Sequence, residues 1–182
     1  KNKLASNHLV AHRGYSQCFP ENTLLAIQGA LDVGAGYIEI DIQLSADKQV
    51  VVFHDRNLNR LCLQPGAIHD YTLENLQKFS SYSPDRFADK YKGEKIPALN
   101  DVVALIEKHP EVTLFVELKR ISIKQYGIDE TLAAVLPCLQ PILKQVVLIS
   151  FSLDILESIR SRNTLPIGAV IDEWNVAITT DY

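Results

Sequence analysis

Apolar residues along this chain fall into two rhythms: short β-rich runs bounded by polar residues, and longer stretches in which apolar positions recur every three or four residues. The first is the rhythm of strands, the second that of amphipathic helices. Read this way, strands are predicted over residues 9–11, 37–44, 49–54, 113–118, 146–150 and 167–171. Helices are predicted over 23–33, 100–109, 128–136 and 153–161, with a shorter one over 72–79. Strands alternating with helices indicate a parallel sheet joined by crossover helices, the α/β class. In the first helix Leu24, Ile27, Ala30 and Leu31 share a face, and Gly34 stands where a helix end favours glycine.

Two segments depart from the alternation. Over 37–44 the pattern has period two, with Glu39 and Asp41 on one face and Ile38, Ile40 and Ile42 on the other. The link Ser45-Ala46-Asp47-Lys48 is too short for a crossover helix, so 49–54 should return as an antiparallel hairpin. A turn near Asp47 then sets His54 beside Ile40 and Asp41. From 56 to 97 regular patterning stops, and the segment reads as an insertion covering one mouth of the sheet. The chain as a whole, 1–182, reads as a single domain. Six strands are counted, whereas a closed eight-stranded barrel usually takes about 250 residues, so the C-terminal strands are expected to be missing.

At 182 residues and 47% apolar content the chain can bury a sizeable core. No apolar run approaches the roughly 20 residues of a membrane span, and no signal-like stretch opens the sequence, so a cytoplasmic location is expected. Cys18, Cys62 and Cys138 are odd in number and widely spaced, which fits free thiols better than a disulfide framework or zinc site. A net charge of −4 argues against a general nucleic-acid binder. It leaves room for a small anionic substrate, because a bound cation can reverse the potential of one cleft.

Ionisable residues gather at strand ends. His12-Arg13-Gly14, Glu39-x-Asp41, His54-Asp55 and Glu117-x-Lys119 each end or occupy a separate apolar run. Two like charges on a largely buried strand are costly unless neutralised, and a third carboxylate from a second strand completes an oxygen-rich set suited to Mg²⁺ or Ca²⁺ rather than zinc. The bland alternative for each motif is a polar strand face meeting water, a surface Glu–Lys pair, or a structural histidine. Phosphodiester cleavage needs a base and an acid, and His12 and His54 can serve as either near neutral pH. Arg13 can hold a phosphate oxygen, Gly14 permits close backbone approach, and Lys119 can neutralise developing charge. Pro20-Glu21-Asn22-Thr23 opens the first helix and reads as a cap, with Glu21 or Asn22 also able to face the site. His8, His69 and His109 lack a strand-end setting and read as surface residues.

These motifs, in this order, with Ile96-Pro97-Ala98-Leu99 and Ser150-Phe151 further on, resemble the glycerophosphodiester phosphodiesterases, and among them the bacterial cytosolic type. The resemblance implies a TIM barrel with a small insertion after the third strand. It implies hydrolysis of glycerophosphodiesters to sn-glycerol 3-phosphate and an alcohol, as part of glycerol and lipid metabolism. By the same resemblance His12 and His54 are the acid/base pair, Glu39, Asp41 and Glu117 hold the divalent cation, and Arg13 and Lys119 contact phosphate. The neighbouring glycerol hydroxyl would attack first, giving a cyclic phosphate that water opens. The stretch 56–62 departs from the family pattern, which bears on substrate preference. Trp174 falls too early to supply the aromatic wall that later strands can add. Two other readings stay open: a related barrel phospholipase or lyase that stops at a cyclic phosphate, and a non-catalytic metal-binding domain. Head-group preference and oligomeric state are not readable from the sequence.

Overall fold

A computed structural model describes residues 9–162 and 164–171. Its strands are β1 (Val10–His12), β2 (Tyr37–Leu44), β3 (Val50–Val52), β4 (Thr113–Leu118), β5 (Val146–Ser150) and β6 (Ile167–Ala169). The helices are α1 (Leu24–Asp32), α2 (Asn59–Cys62), α3 (Leu73–Leu76), α4 (Pro84–Phe87), α5 (Leu99–Ile106), α6 (Arg120–Tyr126), α7 (Ile128–Leu139) and α8 (Leu153–Arg162). His8 and Trp174 lie outside the described residues.

The sheet runs β1-β2-β4-β5-β6 with every neighbouring pair parallel, while β3 pairs antiparallel with the far end of β2. The hairpin expected from the short link is therefore present, with Ile42 opposite Val52 and Leu44 opposite Val50. Its position sets the path of the sheet. The six strands counted from the pattern are all present in one sheet; because β2 pairs directly with β4, five of them form the parallel path among the described residues and β3 lies off it. A strand returning antiparallel over one end of β2 cannot also occupy a parallel slot beside it.

The period-two reading of β2 holds. Ile38, Ile40, Ile42 and Leu44 join Leu114, Val116, Leu118, Val146 and Leu148 in a buried layer beneath α1, α5, α7 and α8. Burying an aliphatic side chain stabilises by about 1.5–3 kcal/mol, so this layer dominates the fold and fixes which face of β2 turns away from it. A smaller core of Val51, Phe53, Leu58, Leu61, Cys62, Ile68, Leu76 and Ile96 lies under 56–97. Alternate residues of β3 thus serve alternate cores, Val50 and Val52 the larger and Val51 the smaller.

Local chemistry places the ends of α1. The Thr23 hydroxyl accepts from the Ala26 amide at 3.1 Å and donates to the Pro20 carbonyl at 2.7 Å. Gly34, at φ +80°, follows the last turn as expected. The close approach permitted by Gly14 is to the protein itself. At φ +75° a Cβ there would sit 2.6 Å from the Ala26 carbonyl carbon, and the Tyr15 amide donates to the Ala26 oxygen at 2.8 Å. Helix α6 follows β4 directly and was not expected; its short Arg120–Tyr126 span carries little helical periodicity and ends at Gly127, φ +85°.

Candidate active site

The register of the parallel strands assembles the site. His12 of β1 lies opposite Glu39 of β2, and Asp41 lies opposite Glu117 of β4, so all four side chains leave the same sheet face. One oxygen from each of Glu39, Asp41 and Glu117 lies within 4.8 Å of the others, and all three residues are buried. The face that cannot join the aliphatic layer is where the acidic residues converge.

Three buried carboxylates are costly together, and among the described residues Lys119 and Arg13 bring positive charge to them. Lys119 Nζ lies 3.2 Å from Asp41 Oδ1 and 2.8 Å from Glu117 Oε1. Burial alone would pull the Lys119 pKa down, but Asp41 and Glu117 outweigh it and hold the ammonium above its ordinary value. Arg13 donates its backbone N–H to Glu39 Oε2 at 3.0 Å, and its Nε lies 3.1 Å from Asp41 Oδ2. Its φ of +57° turns that amide toward the carboxylate, a conformation costing about 1–3 kcal/mol in a non-glycine residue. Asn22, also left-handed at φ +58°, donates from Nδ2 to Asp41 Oδ2 at 2.9 Å and accepts from the Asp41 amide at 3.2 Å.

Glu39 remains short of partners. Its Oε1 is buried and makes no hydrogen bond. Burial first, and the neighbouring Asp41 second, push its pKa up to about 8. An all-oxygen donor set with one buried oxygen unpaired fits a hard divalent cation such as Mg²⁺ or Ca²⁺. Glu39, Asp41 and Glu117 are the residues that would hold it.

The two histidines flank this cluster. His12 Nε2 lies 3.7 Å from Glu39 Oε2, and burial, followed by the adjacent Arg13, lowers its pKa. His54 follows β3 where the hairpin register places it; the neighbouring Phe53 amide donates to the Asp41 carbonyl at 2.9 Å. His54 Nδ1 lies 2.7 Å from Asp55 Oδ1. A cleft of about 280 Å³ opens beside His54, bounded by Glu117, Lys119, Arg56, Ile121 and Phe151. His69 and His109 take no part in it; each lies near an acidic neighbour instead, Asp70 at 4.0 Å and Glu111 at 3.5 Å.

Gln43 and Arg60, which the sequence reading did not assign, and Glu21, which it offered as able to face the site, hold these groups in place. Gln43, two positions beyond Asp41 on the same face, directs Nε2 to the carbonyls of Phe53, His54 and Asp55 at 2.9, 3.1 and 2.7 Å. Its signal was legible, since Glu39, Asp41 and Gln43 form one period-two series. Arg60 donates to Asp55 and to Glu21, and Glu21 also accepts from Arg13 NH1 at 2.8 Å. Both carboxyls stay ionised: burial raises each pKa, and their cationic and histidine partners more than offset it, Asp55 lying well below the usual carboxylate range. Nothing in local spacing announced that Arg60 and Glu21 would meet.

The family model described as the glycerophosphoryl diester phosphodiesterase family matches residues 12–179. A glycerophosphodiester phosphodiesterase of Caldanaerobacter subterraneus is 37% identical over 124 residues, covering 68% of this chain and 50% of that protein. One of Bacillus subtilis is 31% identical over 185 residues, covering 94% of this chain and 62% of that protein. Among solved structures, an Oleispira antarctica phosphodiesterase in complex with the product sn-glycerol-3-phosphate superposes with TM-score 0.74 at 29% identity, over 88% of this chain and 63% of that one. A Thermotoga maritima glycerophosphodiester phosphodiesterase gives TM-score 0.70 at 31% identity, over 93% and 66%. This chain therefore spans between about half and two thirds of the length of these proteins. The fold is that of the TIM barrel, and the five parallel strands with their helices align with it. Motif order, site geometry and family match agree, and the chain belongs to the glycerophosphoryl diester phosphodiesterase family.

Proposed function

We propose that this chain hydrolyses glycerophosphodiesters to sn-glycerol 3-phosphate and an alcohol, using a divalent cation, Mg²⁺ or Ca²⁺, and the histidine pair His12 and His54. The observation that carries this reading is the convergence of Glu39, Asp41 and Glu117 within 4.8 Å, with Glu39 Oε1 left unpaired. When bound there, the cation would act as a Lewis acid toward the phosphoryl oxygens.

The chain's own groups account for the remaining chemistry. Arg13 and Lys119 hold the phosphate and offset charge on its non-bridging oxygens. One imidazole accepts the proton of the neighbouring glycerol hydroxyl as that oxygen bonds to phosphorus. The other donates a proton to the departing alcohol oxygen as its bond to phosphorus breaks, leaving a cyclic phosphate. Water then opens the ring with the two proton roles exchanged, which restores both histidines. For His54 the working atom is Nε2, because an ionised Asp55 can only accept and so takes the Nδ1 proton.

A cytoplasmic location belongs to the same proposal, resting on three free cysteines. No helix among the described residues is long and apolar enough to cross a membrane. The segment 56–97 is proposed as an insertion within one domain; Arg86 NH1 donates to the Ser16 carbonyl at 2.7 Å and the Tyr91 hydroxyl to the Cys18 carbonyl at 2.7 Å, which tie it to the loop after β1.

The test is turnover of glycerophosphocholine by the full chain with Mg²⁺, with Ca²⁺ and with chelator, followed by phosphorus NMR. Glycerol 3-phosphate forming only with an ion, and lost in His12→Ala and His54→Ala, is the expected result. Cyclic phosphate as the end product would replace hydrolysis with the lyase reading, and ion binding without turnover would leave a binding domain.

A further inference from the structure

The sharpest unassigned feature is the guanidinium of Arg60. From α2 its Nε and NH2 donate to Asp55 Oδ2 and Oδ1 at 2.7 and 2.8 Å, while NH1 and NH2 donate to Glu21 Oε2 and Oε1 at 3.0 and 2.8 Å. Two carboxylates from separate loops, 34 positions apart in sequence (Glu21 and Asp55), are each bound in two-point fashion by one planar fork. Beyond Asp55 stands His54, with Nδ1 at 2.7 Å. Beyond Glu21 stands Arg13, whose NH1 reaches the same Oε1 at 2.8 Å and whose Nε lies 3.1 Å from Asp41.

We propose that Arg60 is a positioning residue: it clamps Asp55 against Glu21, holding His54 in the Nδ1-protonated tautomer and tying that histidine to the phosphate-binding Arg13. The proposal rests on the hydrolase reading for its kinetic consequence, but its structural content stands apart from it. An unbroken line of charge-assisted bonds runs from His54 through Asp55, Arg60 and Glu21 to Arg13. It joins the proton-transfer side of the site to the phosphate-holding side, two regions contributed by different loops. Lysine cannot replace this link, because a single ammonium lacks the fork that grips two carboxylates edge-on.

Two other readings weigh less. Glu21, His54 and Asp55 bring donor atoms within 4.8 Å of one another and could be taken for a second ion site. Every oxygen of the two carboxylates already accepts a bond from Arg60, and the charge of Arg13 is added on Glu21, so the site leaves no free oxygen for a cation. A purely structural pin is the second reading. The Arg60 side chain is 41% exposed but Glu21 only 7%, so loss of the pair carries a stability cost of its own, as a pin would. A pin alone would leave the His54 tautomer unchanged when Arg60 is removed, and this separates the two readings.

The experiment uses the full chain loaded with Mg²⁺ and reads the nitrogen chemical shifts of the His54 imidazole alongside kcat and KM for glycerophosphocholine. In the native protein the Nδ1–H tautomer should dominate. Arg60→Ala should show a mixture of tautomers and a kcat reduced by about 10–100-fold, the range typical of removing such outer partners. Arg60→Lys should restore only part of that loss, and added guanidinium should partly rescue Arg60→Ala. Native tautomer signals in Arg60→Ala, whether or not its melting temperature falls, would overturn the proposal, as would a kcat within twofold of native. Should Arg60→Ala fail to fold, Asp55→Asn supplies the same readout, with loss of the Nδ1–H preference expected and its retention fatal. If the native chain turns over no glycerophosphodiester, the hydrolase reading fails while the tautomer signals still decide this one.

Discussion

Lys119 Nζ sits 3.2 Å from Asp41 Oδ1, bringing together residues 78 positions apart, one within β2 and one just past the end of β4. The Lys119 side chain is only 15% exposed and its ammonium also contacts Glu117, so it is a main source of positive charge within the acidic cluster. Lys119→Met should therefore lower kcat/KM by about 10²–10³-fold, the usual loss when a preorganised charge donor is removed. It should also destabilise the ion-free protein, which is left with unpaired buried carboxylates, while added Mg²⁺ or Ca²⁺ restores much of the melting temperature. Steady-state kinetics and thermal melts with and without chelator check both halves.

Glu39 gives a prediction of opposite sign for stability. Its folded-state pKa, raised to about 8, means that between its ordinary value and 8 the folded chain holds a proton that the unfolded chain has released. Stability of the ion-free protein should thus be fully supported below about pH 4.5 as far as this group is concerned, and should decline as pH rises through 8. Glu39→Gln should flatten that decline in chelator and yet lose the stabilisation that divalent ions confer on the native chain. Melting curves from pH 5 to 9, with and without the ion, would show it; an unchanged ion response in Glu39→Gln would remove Glu39 from the donor set.

Gln43 is expected to matter out of proportion to its distance from any reacting atom. Its amide reaches three consecutive carbonyls, at 2.9, 3.1 and 2.7 Å, and these carry the turn on which His54 and Asp55 stand. Gln43→Leu leaves buried carbonyls unpaired and should cost about 1–3 kcal/mol of stability. The loss of kcat should exceed that of KM, because His54 is loosened more than the phosphate contacts. Denaturant titration paired with kinetics separates the two.

Gly14→Ala tests the joint between β1 and α1. The added methyl would stand 2.6 Å from the Ala26 carbonyl carbon and 2.7 Å from its oxygen, both main chain, at a φ of +75°. The expected penalty is at least about 1–3 kcal/mol, with displacement of the neighbouring Arg13. A native melting temperature and native activity in this variant would contradict the packing described.

Much of the candidate site is legible in the sequence. The period-two series through β2 separates Glu39 and Asp41 from the isoleucines, and the four-residue link forces a hairpin that delivers His54 to Asp41. Both are short-range consequences of backbone geometry. Helix α6 was missed because its span carries little amphipathic signal and rests on its tertiary setting. The antiparallel return of β3 was legible from the short link, but its place off the parallel path, with β2 pairing directly to β4, is set by long-range strand pairing that a run of valines does not reveal.

Alternation, turn length and residue type by themselves determined the α/β class, the face of β2 that carries acid, and the strand-end residues that are candidates for the chemistry. Which carboxylates meet was decided only by the parallel pairing of β2 with β4, where register sets Asp41 against Glu117 and brings Lys119 between them. The bridge from His54 to Arg13 through Asp55, Arg60 and Glu21 was likewise a tertiary outcome. The physical reason is the range of the forces involved. Periodicity and turn geometry act within a few residues, whereas charge pairing across distant loops exists only once burial of the aliphatic layer has brought those loops together.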